Sequence, residues 1–170
     1  EIMPSLVGSE MCIRDRVETA RKHPEIQFCL AGAKREDTNI AFPENVRLMG
    51  YLKGKELESF IKNARLVVIP SRCYEGFPMA ILEAAQFGKP CIGPDHGGFT
   101  EIIGKGESAI GRLFEPNNLN DLEKQVLTLW NQPVLTEELG RKAYEKLRKE
   151  YSSEVVYRKW DELFTKILYG

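Results

Sequence analysis

Two carboxylates eight residues apart, Glu75 and Glu83, are the side chains best placed by type and spacing to do chemistry in this sequence. Pro78, between them, suits the first turn of a helix, where its missing N–H leaves no bond unmade. Gly88 suits the left-handed cap that would end that helix. Nearly every residue between Pro78 and Gly88 is apolar, so the pattern predicts a helix buried on most sides, with Glu83 the exception. A buried carboxylate needs a cation, hydrogen-bond donors or solvent. The two vicinal hydroxyls of a ribose are a matching pair of donors. Glu75 precedes the helix, where first-turn N–H groups can meet phosphate or sugar oxygens. Gly76 lets the backbone come close to a ligand. On residue types alone, a surface-facing Glu83 and a solvated Glu75 stay equally open.

Alternating strands and helices must position these groups. Short apolar runs at residues 26–31, 46–49, 66–69, 90–93 and 109–114 read as strands. The run Leu66-Val67-Val68-Ile69 suits a central parallel strand covered on both faces. Helical patterns end at Lys22, before His23-Pro24, and fill residues 55–63, where Leu57, Phe60 and Ile61 share a face. Near the C-terminus, Asn120 with Glu123 reads as a capping pair, and Thr136 ahead of Glu137 and Glu138 as a second helix start. A last helix starts at Ser152 or Ser153 and carries the apolar stripe Val156, Trp160, Leu163, Phe164 and Ile167. The expected fold is α/β: a doubly wound parallel sheet with C-terminal helices. In such sheets ligands bind beyond the carboxyl ends of the strands. Gly32-Ala33-Lys34, Gly50-Tyr51, residues 71–78 and residues 94–98 would all lie on that edge, where a nucleotide would sit.

Composition excludes several classes. The 170 residues carry 24 Lys+Arg against 25 Asp+Glu, which argues against nucleic-acid binding through bulk positive charge. No apolar run approaches the roughly 18–20 residues needed to span a bilayer, so the reading is cytoplasmic or peripheral to a membrane. Cys12, Cys29, Cys73 and Cys91 form no CxxC, and His23 and His96 stand far apart, so no metal site is expected. His96 reads as a loop histidine.

Residues 1–16 stand apart. Met11-Cys12-Ile13-Arg14-Asp15-Arg16 can be written ATG TGT ATA AGA GAC AG, which resembles the mosaic-end adapter of transposon-based sequencing libraries. The stretch also lacks a clear helical or strand period. It is expected to be a non-native prefix, with the folded domain running over 17–170.

The segment PSRCYEGFPMAILEAAQFGKPCI, followed by Gly97-Gly98-Phe99-Thr100-Glu101, resembles the donor-binding half of family 4 retaining glycosyltransferases of the GT-B fold. The resemblance extends through Val46-Arg47-Leu48-Met49-Gly50-Tyr51-Leu52 and Gly111-Arg112-Leu113-Phe114-Glu115-Pro116. It implies a hexosyltransferase-type enzyme of polysaccharide biosynthesis, with a nucleoside-diphosphate sugar such as a UDP-sugar as substrate and no cofactor. Carried over by position, Glu83 would bind the ribose hydroxyls and Glu75 would contact the donor sugar at the reacting centre, as the catalytic residue. Gly76, Phe77 and Pro78 would line the sugar and diphosphate pocket. Gly50 and Tyr51 would meet the base, and Gly97 and Gly98 complete the donor site. Glu101 belongs to the same signature without an assigned role.

Two departures accompany the resemblance. The Arg and Lys that the family places against the diphosphate fall in the adapter-like region, and Arg14 and Arg16 do not match their context. Lys34 and Arg35 could reach phosphate, though an exposed basic turn is the plainer account. The resemblance leads to the expectation that the N-terminal acceptor domain is missing here and that this donor-binding half catalyses poorly or not at all alone. The full enzyme's peripheral membrane association stays open. The competing reading is a nucleotide-sugar-binding or interaction module without turnover. In the GT-B family the last helix crosses to the other domain, so its apolar stripe is expected to stand exposed here.

Overall fold

The structure is a computed structural model that describes residues 2–4, 10–32 and 39–169, with side chains from residue 12 onward. Among the described residues, six parallel strands form one sheet in the order β3-β2-β1-β4-β5-β6. These are β1 (Ile2–Pro4), β2 (Phe28–Ala31), β3 (Val46–Gly50), β4 (Leu66–Val68), β5 (Cys91–Pro94) and β6 (Gly111–Phe114). The helices are α1 (Glu10–Lys22), α2 (Lys55–Lys62), α3 (Met79–Gln86), α4 (Gly97–Ile103), α5 (Leu119–Asn131), α6 (Pro133–Glu150) and α7 (Ser153–Tyr169). The expected doubly wound α/β architecture is therefore present.

Alternating side chains divide the core between the two sheet faces. Phe28, Leu30, Leu66, Val68 and Ile92 pack with α1 and α5, whereas Cys29, Ala31, Val67 and Cys91 pack with α2, α3 and α4. Strands buried on both faces are the signature of a sheet covered by helices on each side. Asn45 fixes where β2 and β3 begin. Its side-chain amide donates to the carbonyls of Ala20, His23 and Ile26, and its own carbonyl accepts from Gln27 Nε2 at 2.7 Å.

Several local expectations are corrected. Residues 10–16 form the first half of α1, where Ile13, Val17 and Ala20 stack one above another toward the core. Arg14 is exposed, whereas Arg16 is buried on the same helix. Desolvation lowers the Arg16 pKa to about 10, against the charges of Cys12 and Asp15. Ile2–Pro4 pairs with both β2 and β4 at the sheet centre.

Helix α3 is not buried on most sides. Ile81, Ala84 and Ala85 face the core, but Met79, where α3 starts at the open edge of the sheet, and Gln86, at the other end of the helix, are exposed. The cap of helix α5 lies two residues before the expected one. Asn118 accepts from the amide of Asp121 at 3.0 Å, while Glu123 faces α1 and binds Lys22 and His23. Thr136 lies inside α6, not at its start, and its buried hydroxyl donates to the Leu129 carbonyl at 2.6 Å.

The last helix matches its expectation. No residue of α7 is buried, and Trp160 stacks on Phe164 with ring centroids 5.5 Å apart at the surface. Val156, Leu163 and Ile167 complete the exposed stripe.

Candidate functional site

The strand order reverses direction at β1: the chain moves outward to β2 and β3, then returns to β4 on the other side of β1. Ligand crevices open at such a switch point, outside the carboxyl ends of the strands. Residues 69–78, which follow β4, carry Glu75 and run into α3.

Two neighbouring segments hold this loop. Gly97 and Gly98, at the start of α4, press against it from the β5 side. The Gly98 amide donates to the Glu75 carbonyl at 2.9 Å. A Cβ on Gly98 would stand 2.3 Å from the Gly76 carbonyl oxygen and 2.8 Å from Pro78 Cδ. On Gly97, at φ +53°, it would stand 2.8 Å from the Glu75 carbonyl oxygen. Only glycine permits this approach. From the other side, Arg72 makes a forked ion pair with Asp15 of α1. Its Nη2 donates to Oδ1 at 2.8 Å and its Nε to Oδ2 at 3.2 Å.

Aromatic rings flank the same loop. Tyr74 lies flat on His96, with centroids 5.0 Å apart and planes 13° from parallel. Phe77 meets Tyr151, at the end of α6, with centroids 5.7 Å apart. Burial, and then the charges of Glu150 and Glu101, push the Tyr151 hydroxyl pKa up. Glu101 of the signature thus lies within electrostatic reach of a ring that touches Phe77.

Asp95 organises the turn after β5. Its amide donates to the Phe114 carbonyl at 2.8 Å. Its carboxylate accepts from Lys105 Nζ at 2.7 Å and Thr100 Oγ1 at 2.9 Å. The Lys105 hydrogen bond is the main cause that holds Asp95 below the usual carboxylate range.

The structure thus brings Glu75, Gly76, Phe77 and Pro78 into contact with Gly97, Gly98 or Tyr151. Pro78 is the N-cap of α3 rather than its first helical residue. Glu83 is half-buried one turn into that helix. Among the described residues, neither Glu75 nor Glu83 has a hydrogen-bond or ion-pair partner for its carboxylate, so both are chemically available. A Cβ on Gly76 or Gly50 would meet nothing within 4 Å, so both backbone segments are open to approach. Gly50 ends β3 at φ +67° and accepts from the Gly32 amide at 2.7 Å, with exposed Tyr51 next to it. This pair sits on the same edge, beyond β2 and β1 from the Glu75 loop. Lys34 and Arg35 lie outside the described residues.

Sequence reasoning placed Asp95 on this edge without a role, and missed its pairing with Lys105, the Arg72–Asp15 pair and the Tyr74–His96 stack. Each joins residues distant in the chain or too generic in type to mark a site. Among the described residues, no cluster of three or more His, Cys, Asp or Glu side chains could hold a metal ion. No helix there is long and apolar enough to cross a membrane.

A parallel sheet in this order, with a glutamate-bearing loop at its switch point, is a Rossmann-type α/β domain of the kind found in GT-B glycosyltransferases. The chain belongs to the glycosyl transferases group 1 family, whose model matches residues 15–146. It is 36% identical over 132 residues to a poly(ribitol-phosphate) alpha-N-acetylglucosaminyltransferase of Staphylococcus aureus, covering 76% of this chain and 25% of that protein. The crystal structure of TarM superposes with a TM-score of 0.78 at 26% identity, covering 96% of this chain and 34% of that one. The C-terminal domain of a group 1 glycosyl transferase, LpcC of Francisella tularensis, has a TM-score of 0.74 at 19% identity and shows the same fold. There the match covers 89% of this chain and 86% of that one. The chain spans between a quarter and about a third of the first two proteins.

Proposed function

We propose that residues 17–170 are the donor-binding half of a retaining glycosyltransferase that takes a nucleoside-diphosphate sugar, with residues 1–16 a non-native prefix of which Ile2–Pro4 take the central strand position and residues 10–16 extend the first helix. The observation that supports this best is the open Glu75–Pro78 loop at the switch point, with two uncommitted carboxylates on and behind it. Glu83 accepts from the two ribose hydroxyls. Glu75 contacts the donor sugar at the reacting centre. The backbone at Gly76, Phe77 and Pro78 lines the sugar and diphosphate, the Gly97-Gly98 segment holds that lining in place, and Gly50 and Tyr51 meet the base.

Sugar transfer on this reading depends on positioning and electrostatics. The departing diphosphate is stabilised while an acceptor hydroxyl attacks the anomeric carbon. The acceptor is bound by a further domain, and the exposed stripe of α7 packs against it. The enzyme works in the cytoplasm or at the membrane surface.

Calorimetric titration of the chain with UDP, GDP, ADP and their sugars tests the reading. One nucleotide series is expected to bind, and Glu83→Ala to weaken it at least about tenfold, the scale of a lost charge-assisted hydrogen bond. Absence of binding, or indifference to Glu83→Ala, would overturn it. Transfer at ordinary enzymatic rates by the chain alone would overturn the need for a second domain.

A further inference from the structure

We propose that His96 is a positioning residue of this site, acting through Tyr74 on Glu75; the inference rests on the reading that Glu75 contacts the donor sugar. Three rings form a ladder from the core to the loop. Phe99 is fully buried, and its ring passes so close to β5 that a Cβ on Gly93 would stand 2.5 Å from Phe99 Cδ1. His96 meets Phe99 edge-on, with centroids 6.0 Å apart and planes at 89°. Tyr74 then lies flat on His96, and the residue as a whole is 82% exposed. Glu75 is the next residue in the chain.

Among the described residues, the only ring contact of Tyr74 is with His96. The Glu75 carbonyl is already held by Gly98. The backbone at Glu75 is therefore fixed from both sides: by a hydrogen bond through its own carbonyl and by a stacked ring on the residue before it. Stacking restricts Tyr74 to one side of the loop, and the Glu75 side chain departs from a backbone whose direction that restriction sets.

The ring of His96 acts as a surface here. Its Nδ1 is buried and has no hydrogen-bond partner. The buried side of the imidazole is thus used for packing, which a carbocyclic ring can reproduce. A phenylalanine at this position therefore separates positioning from direct ligand contact by a ring nitrogen.

The experiment compares His96→Ala with His96→Phe in the chain as it stands, titrated with UDP, UDP-N-acetylglucosamine and UDP-glucose, or with GDP or ADP and their sugars in place of the UDP series where that is the series that binds. Hydrogen exchange at the Gly98 amide is followed in parallel without ligand. His96→Ala is expected to weaken the nucleotide sugar that binds by about 3- to 10-fold, the range of one aromatic pair, while the nucleotide alone changes less than about twofold. His96→Phe is expected to restore the sugar-dependent part. Gly98 protection is expected to fall in His96→Ala and to recover in His96→Phe.

Unchanged protection in His96→Ala overturns the positioning role. Equal loss for the nucleotide and its sugar, or a His96→Phe variant as weak as His96→Ala, also overturns it, the latter in favour of direct contact by a nitrogen. If the unaltered chain binds no nucleotide, the donor reading fails, while the exchange data still decide whether His96 orders the loop.

Discussion

The amide of Gly98 donates to the carbonyl of Glu75 at 2.9 Å, so the start of α4 and the loop after β4 share one backbone hydrogen bond across a glycine-only contact. Two segments separated by more than twenty residues become one wall of the crevice. The bond explains why small residues are needed there.

Gly98→Ala is expected to displace residues 75–78, because its Cβ would stand 2.3 Å from the Gly76 carbonyl oxygen. Overpacking of this kind costs about 1–3 kcal/mol. Denaturant melts should show that loss, and nucleotide-sugar titration should show a loss of at least about tenfold. Unaltered binding at wild-type stability would separate the wall from the site.

Glu83→Gln and Glu83→Ala are expected to melt within about 0.5 kcal/mol of the parent, because the half-buried side chain makes no special contact that either substitution would break. The carboxylate has no intramolecular partner among the described residues. A large stability loss would show that Glu83 serves the fold instead of a ligand.

Acid should loosen the turn after β5. Lys105 chiefly, and Thr100 next, hold Asp95 below its ordinary value of 3.8. A lowered native pKa means that its stabilisation is complete above 3.8 and is lost as the pH falls through the lower native value. Lys105→Ala should move the Asp95 titration upward in a carboxyl-resolved NMR series, and Asp95→Asn should flatten the acid limb of unfolding. Some limb should remain, because Lys22 and His23 lower Glu123 from 4.5 in the same direction.

Thiol labelling reports the crevice directly. Cys73 is exposed two residues before Glu75, whereas Cys12, Cys29 and Cys91 are buried, and burial pushes the Cys91 thiol up. One equivalent should react quickly in the native chain and four after unfolding. Saturating nucleotide sugar should slow the first. Fast reaction of several thiols would contradict the packing of both core faces.

Much of this fold is legible in the residues because β2, β4 and β5 are continuous apolar runs and the helices between them end at proline, glycine or asparagine. Ile2–Pro4 is too short to carry a period, so the central strand is visible only through its pairing. Asn118 and Asn120 each precede an acid by three residues, and only the packing of α5 decides that Asn118 is the cap. The Glu75 loop is recognisable because Glu75, Glu83 and Gly97-Gly98 form a spaced signature. The Tyr74–His96 stack is not, because contacts between distant segments leave no local pattern.

Helix α7 has α6 as its principal neighbour and contributes no buried residue to either core face. Cooperativity in a domain comes from shared burial, and little is shared here. The helix is therefore its own unfolding unit, with amide exchange near the low end of the molecule's range. Far-ultraviolet dichroism would register its melting, while the near-ultraviolet signal from the rings around His96 would persist. A single transition temperature would then describe the sheet and its covering helices, and not the whole chain.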